Sequence, residues 1–329
     1  MSMSHANTTM SAEITATQWL KTLQADGVNL ALPELLWYQT HTQLLDLRPT
    51  IAIQSKLAGS YLAKSKGRGM EFDEVRHYQP GDDVRAIDWR VTARTGKVHT
   101  KLFREEKERP VFILTDLSDA MRFGSKLLLK STQAAHLAAV ISWHTKAQGD
   151  KLAGLVFSNQ GHRLLKPASR TRGVLRYLQA LVDIHQYNSA AENTPLPGLQ
   201  LTEALAELRR LLRPGSLLYI LSDFSQLDQE ALRHLQVISQ HNEIHCCHLF
   251  DPLEQQLPPS AQGTALVRAA EQSFQISLGD SQLRQRYQQQ QQQQSHSVQL
   301  QLQQLGCKYV VFSSAEPLLT QLSRRYYGR

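Results

Sequence analysis

From about residue 110 onward, the chain alternates short apolar, β-rich runs with longer helical patterns. The apolar runs are Pro110–Asp116, Lys151–Ser158, Ser216–Asp223, Glu243–Phe250 and Cys307–Ser313. The helical patterns between them are Ser125–Gln148, Arg172–Ile184, Leu201–Leu212, Gln229–His241 and Gln282–Leu305. Such alternation is typical of a mostly parallel sheet covered by helices, because parallel strands need long crossover connections. The sequence therefore predicts a doubly wound α/β domain over residues 110–325.

The segment before this domain is much more highly charged. Residues 61–110 carry 12 Lys or Arg and 9 Asp or Glu, which is 21 charges in 50 positions, whereas charged residues make up 20% of the whole chain. Such a density of charge does not suit another layer of the same apolar core. We expect a separate, small antiparallel β element over residues 46–109, preceded over residues 1–45 by a mobile leader and an amino-terminal helix.

Turn signals and alternation define this β element. Pro80–Gly81 and Thr95–Gly96 are turn sequences, and apolar and polar residues alternate in Val84–Val91 and Lys97–Phe103. We expect its charges to pair with one another and Trp89 to pack the element on the α/β core.

Two later segments carry structural predictions only. Thr264–Leu278 has the pattern of a β-hairpin, and the glutamine run Gln288–Gln294 should continue a helix, since glutamine is a good helix former. No apolar run approaches the roughly 20 residues that cross a bilayer. The amino terminus lacks a signal-peptide pattern, and the three cysteines are too few for a disulfide scaffold, so we expect a cytoplasmic protein.

Acidic and hydroxyl side chains cluster where two of the predicted strands end. Asp116 and Ser118 follow the first apolar run, Asp223 closes the third, and Thr202 opens the helix between them. Ligands of open α/β sheets bind at the carboxyl ends of the strands. Two carboxylates and two hydroxyls there would form an all-oxygen site of the kind that Mg²⁺ prefers. Taken singly, an aspartate after a strand and Thr202 before its helix are better explained as helix caps than as metal ligands.

The order of these residues resembles the metal-ion-dependent adhesion site of the von Willebrand factor A fold, a Rossmann-type domain. That site combines an Asp-x-Ser-x-Ser loop with a threonine and an aspartate from two further loops. The positions that match are Asp116, Ser118, Thr202 and Asp223. Ala120 stands where the second serine ligand is usual, so the resemblance leaves the affinity for metal open.

The upstream stretch Gly69–Trp89, with Ala93–Arg94 and Glu105–Glu106, resembles the hallmark of the bacterial family called domain of unknown function 58. The resemblance covers about residues 45–325. It implies a chaperone-like interaction module that works with a MoxR-type AAA-plus ATPase and other von Willebrand factor A proteins to assemble or activate protein complexes. We expect no enzymatic activity, since the sequence has no phosphate-binding loop and no evident pair of nucleophile and base.

Two alternatives remain open from the sequence. A metal-dependent hydrolase would use Asp116 and Asp223 with His77 or His99 as general base. A nucleic-acid-binding protein would contact phosphates with a basic stretch that contains no acid, and the net charge of +7 would favour this binding. We favour the view that this stretch contacts an acidic partner protein; its basic residues are Arg163, Lys166, Arg170, Arg172 and Arg176.

Overall fold

The computed structural model describes residues 16–41, 70–79, 81–105, 109–187, 198–257, 264–269, 272–277 and 280–327. Its contacts divide the chain into two compact units, one formed by Met1–Arg48 and Arg109–Arg329 and the other by Pro49–Glu108.

The helices and strands are numbered in chain order. The strands are β1 (Met70–His77), β2 (His99–Glu105), β3 (Pro110–Asp116), β4 (Lys151–Phe157), β5 (His162–Ala168), β6 (Leu217–Ser222), β7 (Glu243–Phe250), β8 (Thr264–Ala269), β9 (Gln272–Ser277) and β10 (Lys308–Ser313). The helices are α1 (Ala16–Leu23), α2 (Leu32–Leu36), α3 (Trp89–Thr95), α4 (Lys130–Ala147), α5 (Arg170–Tyr187), α6 (Leu201–Leu211), α7 (Gln229–Ser239), α8 (Pro252–Gln255), α9 (Ser281–Gln304) and α10 (Leu318–Tyr327).

The larger unit is built on a six-stranded sheet in the order β10-β7-β6-β3-β4-β5. All neighbouring pairs are parallel except β4 and β5. The predicted doubly wound, mostly parallel sheet is therefore confirmed. Because β3 pairs with β4 on one side and with β6 on the other, the strand order reverses at β3. The carboxyl end of β3 is thus the switch point at which such sheets bind ligands.

Helices cover both faces of this sheet. On one face, a core cluster joins α4 and α5 with residues of α1, α2 and α10. On the other face, a second cluster joins α6 and α7 with Leu302 and Val298 of α9. The sheet is apolar on both faces, which explains why its central strands are near-continuous hydrophobic runs.

The amino-terminal segment belongs to the first of these clusters. Trp19 and Leu35 are buried in it. Tyr38 is fully buried, and its hydroxyl lies 2.9 Å from Nδ1 of His136 in α4. On the other side of the ring, Nε2 of His136 lies 3.3 Å from Oε2 of the buried Glu34. This polar chain fixes α2 and the turn after it against α4.

The smaller unit contains the predicted antiparallel pair, β1 with β2. The expectation of a β fragment over Val84–Val91 is wrong, since a 3₁₀ turn and α3 occupy most of it. The cause is capping: Oδ1 of Asp88 accepts hydrogen bonds from the amides of Arg90 and Val91, and a cap outweighs a short alternating pattern. Gly96 ends α3 in the left-handed conformation, at φ 69°.

Trp89 is not part of the core of the smaller unit, and its expected packing on the α/β core stays a prediction. Its side chain is 68% exposed at the first position of α3. The expected pairing of charges does occur in this unit, between Arg76 and Asp82 at 2.7 Å and between Lys101 and Asp88 at 3.6 Å.

The two structural predictions for the later segments are confirmed within the described residues. Strands β8 and β9 form an antiparallel pair, and the glutamine run lies inside α9. The three cysteines are buried, and the described residues contain no disulfide. In the described ranges, no helix combines the length and the apolar character that a membrane span requires.

Candidate functional site

The candidate site lies at the carboxyl ends of the neighbouring strands β3 and β6. Asp116 is the last residue of β3 and is only 1% exposed. Its Oδ1 accepts a hydrogen bond from the amide of Ser118 at 2.9 Å, and its Oδ2 accepts one from the hydroxyl of Ser222, the last residue of β6, at 2.6 Å. These two bonds hold the carboxylate at the switch point between the strands.

The electrostatics of Asp116 are unusual for an aspartate. Burial is the largest cause and raises the pKa of Asp116. Hydrogen bonds from Ser222 and Ser118 lower this pKa, and the nearby charge of Asp223 raises it. The resulting pKa is about 6, against the ordinary value of 3.8. The Ser118 hydroxyl is itself buried and makes no hydrogen bond of good geometry, although it lies close enough to Asp116 to favour the charged carboxylate. A buried acid with a strongly shifted pKa at a strand end is typical of functional sites.

Asp223 follows β6 and is neutralised by a lysine. Nζ of Lys130, the first residue of α4, lies 2.7 Å from Oδ2 of Asp223 and 2.6 Å from Oε1 of Glu254 in α8. Burial opposes ionisation of Asp223, but the Lys130 ammonium and the hydrogen bonds from Lys130 and Ser225 together outweigh it, so the pKa of Asp223 is lowered. Burial likewise opposes the charge of Lys130, yet Asp223 and Glu254 together raise its pKa.

The backbone after Asp223 is strained. Phe224 is buried and has φ 55°, a left-handed conformation that bulky residues rarely adopt. Its amide donates to the Ser222 hydroxyl at 3.1 Å, and the amide of Ser225 donates to Oδ1 of Asp223 at 2.9 Å. Such strain costs about 1–3 kcal/mol and persists where a site requires it.

The structure brings three of the four predicted metal ligands together, namely Asp116, Ser118 and Asp223. The hydroxyl of Thr202 instead donates at 3.0 Å to Oδ2 of Asp228, the N-cap residue of α7. Thr202 does not cap its own helix, since the N-cap residue of α6 is Gln200. Ala120 lies exposed in the turn after β3.

The donors present fit a magnesium ion only in part. Both oxygens of Asp116 and both oxygens of Asp223 already accept hydrogen bonds. The Ser118 hydroxyl is the buried oxygen with unused bonding capacity. Within the described ranges, no group of three or more His, Cys, Asp or Glu side chains is arranged to hold a metal.

Sequence reasoning missed Lys130, Ser222 and Glu254. The signal for Lys130 was a lysine at the first position of the helix Lys130–Ala147, which has no other Lys, Arg, Asp or Glu before Lys146. A positive charge at a helix amino terminus is unfavourable for the helix, so its presence there pointed to a nearby acid.

The five predicted partner-binding residues lie along β5 and α5, at the edge of the sheet, and all are exposed. Arg163 pairs with Val156, near the carboxyl end of β4 and thus near the candidate site. Arg170 and Arg172 follow Ala168, which pairs with Leu152 at the opposite end of β4. The residues therefore form a band down the edge of the sheet, which we call the basic edge: Arg163, Lys166, Arg170, Arg172 and Arg176.

The histidines of the hydrolase alternative belong to the smaller unit. His77 and His99 face each other across β1 and β2 with ring centroids 4.5 Å apart, whereas Asp116 and Asp223 belong to the larger unit.

Comparison with known proteins identifies the family. The uncharacterized protein Rv1480 of Mycobacterium tuberculosis is 29% identical over 216 residues, which cover 65% of this chain and 65% of that protein. The chain thus spans just under two thirds of that relative's length. Among solved structures, the conserved hypothetical protein BatB of Bacteroides thetaiotaomicron has a TM-score of 0.42 at 14% identity, over 67% of this chain and 98% of that one.

A von Willebrand factor type A structure from Catenulispora acidiphila has a TM-score of 0.29 at 15% identity, over 46% of this chain and 35% of that one. Because both scores are below 0.5, the fold assignment rests on the sheet order itself. The family model described as Protein of unknown function DUF58 matches residues 74–297, which is more than half of the 329 residues. The chain therefore belongs to the DUF58 family.

Proposed function

We propose that this protein is a non-enzymatic, cytoplasmic interaction module that acts with a MoxR-type AAA-plus ATPase in the assembly or activation of protein complexes. The observation that carries the proposal is the pair of buried carboxylates, Asp116 and Asp223, at the carboxyl ends of β3 and β6. In a doubly wound sheet this is the place where a ligand or partner is met. The family resemblance supplies the kind of partner.

Asp116, Ser118 and Asp223 are the residues that would hold a divalent cation in this module. A bound Mg²⁺ would offer an open coordination position to a carboxylate of the partner. The existing hydrogen bonds of both aspartates and the missing hydroxyl at Ala120 argue for weak binding by the protein alone.

The basic edge supplies the second part of the proposed interface. Its five exposed cations carry no acid among them, and their band begins beside the candidate site at Arg163. Exposed charges of one sign speed association with an acidic partner, and salt weakens their effect because it screens them over about 8–10 Å. We expect the ATPase to present an acidic surface here.

The test is binding of the purified protein to the MoxR-type ATPase of the same organism, measured by biolayer interferometry at low and high salt. The paired substitutions Arg163→Glu and Arg172→Glu should weaken binding by at least about tenfold, since they reverse two charges of the basic edge. The matched control is Arg209→Glu with Arg210→Glu, which reverses two exposed charges on α6, on the opposite face of the sheet.

A further variant tests the carboxylate site. Asp116→Ala should lower the affinity for the ATPase, whereas Asp119→Ala, which removes an exposed acid from the following turn, should not. If salt, the charge reversals and Asp116→Ala all leave the affinity for the ATPase unchanged, the proposed interface is wrong. ATP hydrolysis by this chain alone would overturn the non-enzymatic assignment.

A further inference from the structure

The most unusual charged group in the larger unit is Lys130. Its side chain is 2% exposed, and lysine is almost never buried to this extent unless it is paired. Its ammonium contacts two acids that are remote in sequence, Asp223 and Glu254, at 2.7 and 2.6 Å. It therefore ties the start of α4 to the end of β6 and to α8.

Helix stability does not explain this placement. Lys130 is the first residue of α4, where the helix dipole disfavours a positive charge. Glu254 is held in position by its other oxygen, Oε2, which accepts a hydrogen bond from the amide of Asp251 at 3.1 Å. Both acids are thus oriented toward the ammonium.

The contact engages a residue that the family resemblance assigns to metal. Oδ2 of Asp223 accepts from Lys130 and Oδ1 accepts from the amide of Ser225. A divalent cation that bound Asp223 would have to displace the ammonium or share the carboxylate with it, and two cations at one carboxylate repel each other.

We propose that Lys130 is the resident cation of this site and competes with divalent metal for Asp223. The chain thereby keeps Asp223 charged and oriented without metal, and Lys130 is a specificity determinant that sets a low affinity for metal. This inference deepens the proposed function, and it rests on the same placement of the site.

The experiment is a titration of the full chain with Mn²⁺. Calorimetry and the electron paramagnetic resonance of bound Mn²⁺ measure the affinity. Lys130→Met removes the ammonium and keeps most of the aliphatic stem, so it should tighten Mn²⁺ binding by at least about tenfold. Lys126→Met is the matched control, because it removes an exposed lysine from the segment just before α4, and its affinity should equal that of the wild type. Adding Asp116→Ala to Lys130→Met should abolish the gain.

A second variant and a measurement on the wild type guard against loss of folding. Lys130→Gln keeps a hydrogen-bond donor for Asp223 without the charge, and it should also bind Mn²⁺ more tightly. In the unaltered protein, the protected ammonium signal of Lys130 in a ¹⁵N NMR spectrum should be perturbed by diamagnetic Mg²⁺ in parallel with metal binding.

Equal Mn²⁺ affinity of folded Lys130→Gln and wild type would overturn the proposal, as would metal binding that leaves the Lys130 signal unchanged. These titrations contain no ATPase. A failure here therefore leaves the partner proposal standing, and absence of ATPase binding leaves the competition result standing.

Discussion

Replacement of Asp116 by asparagine should stabilise the protein at neutral and alkaline pH and have much less effect in acid. The carboxyl group has a pKa of about 6 in the folded protein against 3.8 as the ordinary value. The folded state therefore holds a proton that the unfolded state has already released between these two pH values. Stability contributed by this group is thus lost as the pH rises through that window, and it stays lost above it.

The magnitude follows from the same two values. The difference between about 6 and 3.8 corresponds to about 3 kcal/mol of unfolding free energy well above the folded pKa. By the same linkage, the loss of unfolding free energy is about 1 kcal/mol near pH ~4.5, where the carboxyl group is mostly ionised in the unfolded state and mostly protonated in the folded state. Asparagine carries no charge and still offers an oxygen to the amide of Ser118. The stability gained by Asp116→Asn should therefore grow by about 2 kcal/mol between these conditions.

The assay is urea unfolding followed by far-ultraviolet circular dichroism, with chelator present, at about pH 4.5 and about pH 8. Asp119→Asn is the control, because Asp119 is exposed in the adjacent turn, and its effect on stability should be the same at both pH values. A stability difference between Asp116→Asn and wild type that does not change with pH would refute the reasoning, since it would mean that burial does not raise the pKa of Asp116.

Three other substitutions test separate parts of the structure. Tyr38→Phe leaves a buried ring nitrogen of His136 without its partner, so urea unfolding should show a loss of about 1–3 kcal/mol; an unchanged midpoint would mean that the hydrogen bond between Tyr38 and His136 contributes nothing to stability. Trp89→Ala should change stability by no more than about 0.5 kcal/mol, because the side chain is exposed; a large fall in melting temperature would restore Trp89 to a core. Ala120→Ser should tighten Mn²⁺ binding in calorimetry, and an equal affinity would remove this position from the metal site.

The parts of the fold that the sequence predicts best are strands buried on both faces. The bounds of β3 match the predicted run, because a strand inside a doubly covered sheet is a continuous apolar run with charged or polar ends. The bounds of β7 match as well, although His245 and His248 interrupt its apolar residues. Strand β5 was missed for the opposite reason. It is an edge strand with the sequence HRLLKPA, largely exposed and containing a proline, and such a strand carries little apolar periodicity.

In the candidate site, too, some contacts could be predicted from the sequence and others could not. The convergence of Asp116 and Asp223 follows from chain order, since the carboxyl ends of parallel strands share one edge of the sheet. The partner of Asp223 could not be inferred, because the contact with Lys130 joins residues 93 positions apart and depends on how α4 packs. The contact of Thr202 could not be inferred either, because its hydroxyl donates to Asp228, which lies 26 positions further along the chain.

The two carboxylates of the site are stabilised by different means, and this difference assigns them different roles. Asp223 keeps a full negative charge because Lys130 compensates it, so its pKa lies below the ordinary value. Asp116 has no cation of this kind among its contacts; serine and amide donors hold it, and its pKa lies close to neutrality. Paired acids whose surroundings separate their pKa values divide into one with fixed charge and one that titrates. A cation arriving at this edge, whether a metal or a partner's side chain, would therefore gain most from Asp116, and a change at Asp116 should affect binding more than the equivalent change at Asp223.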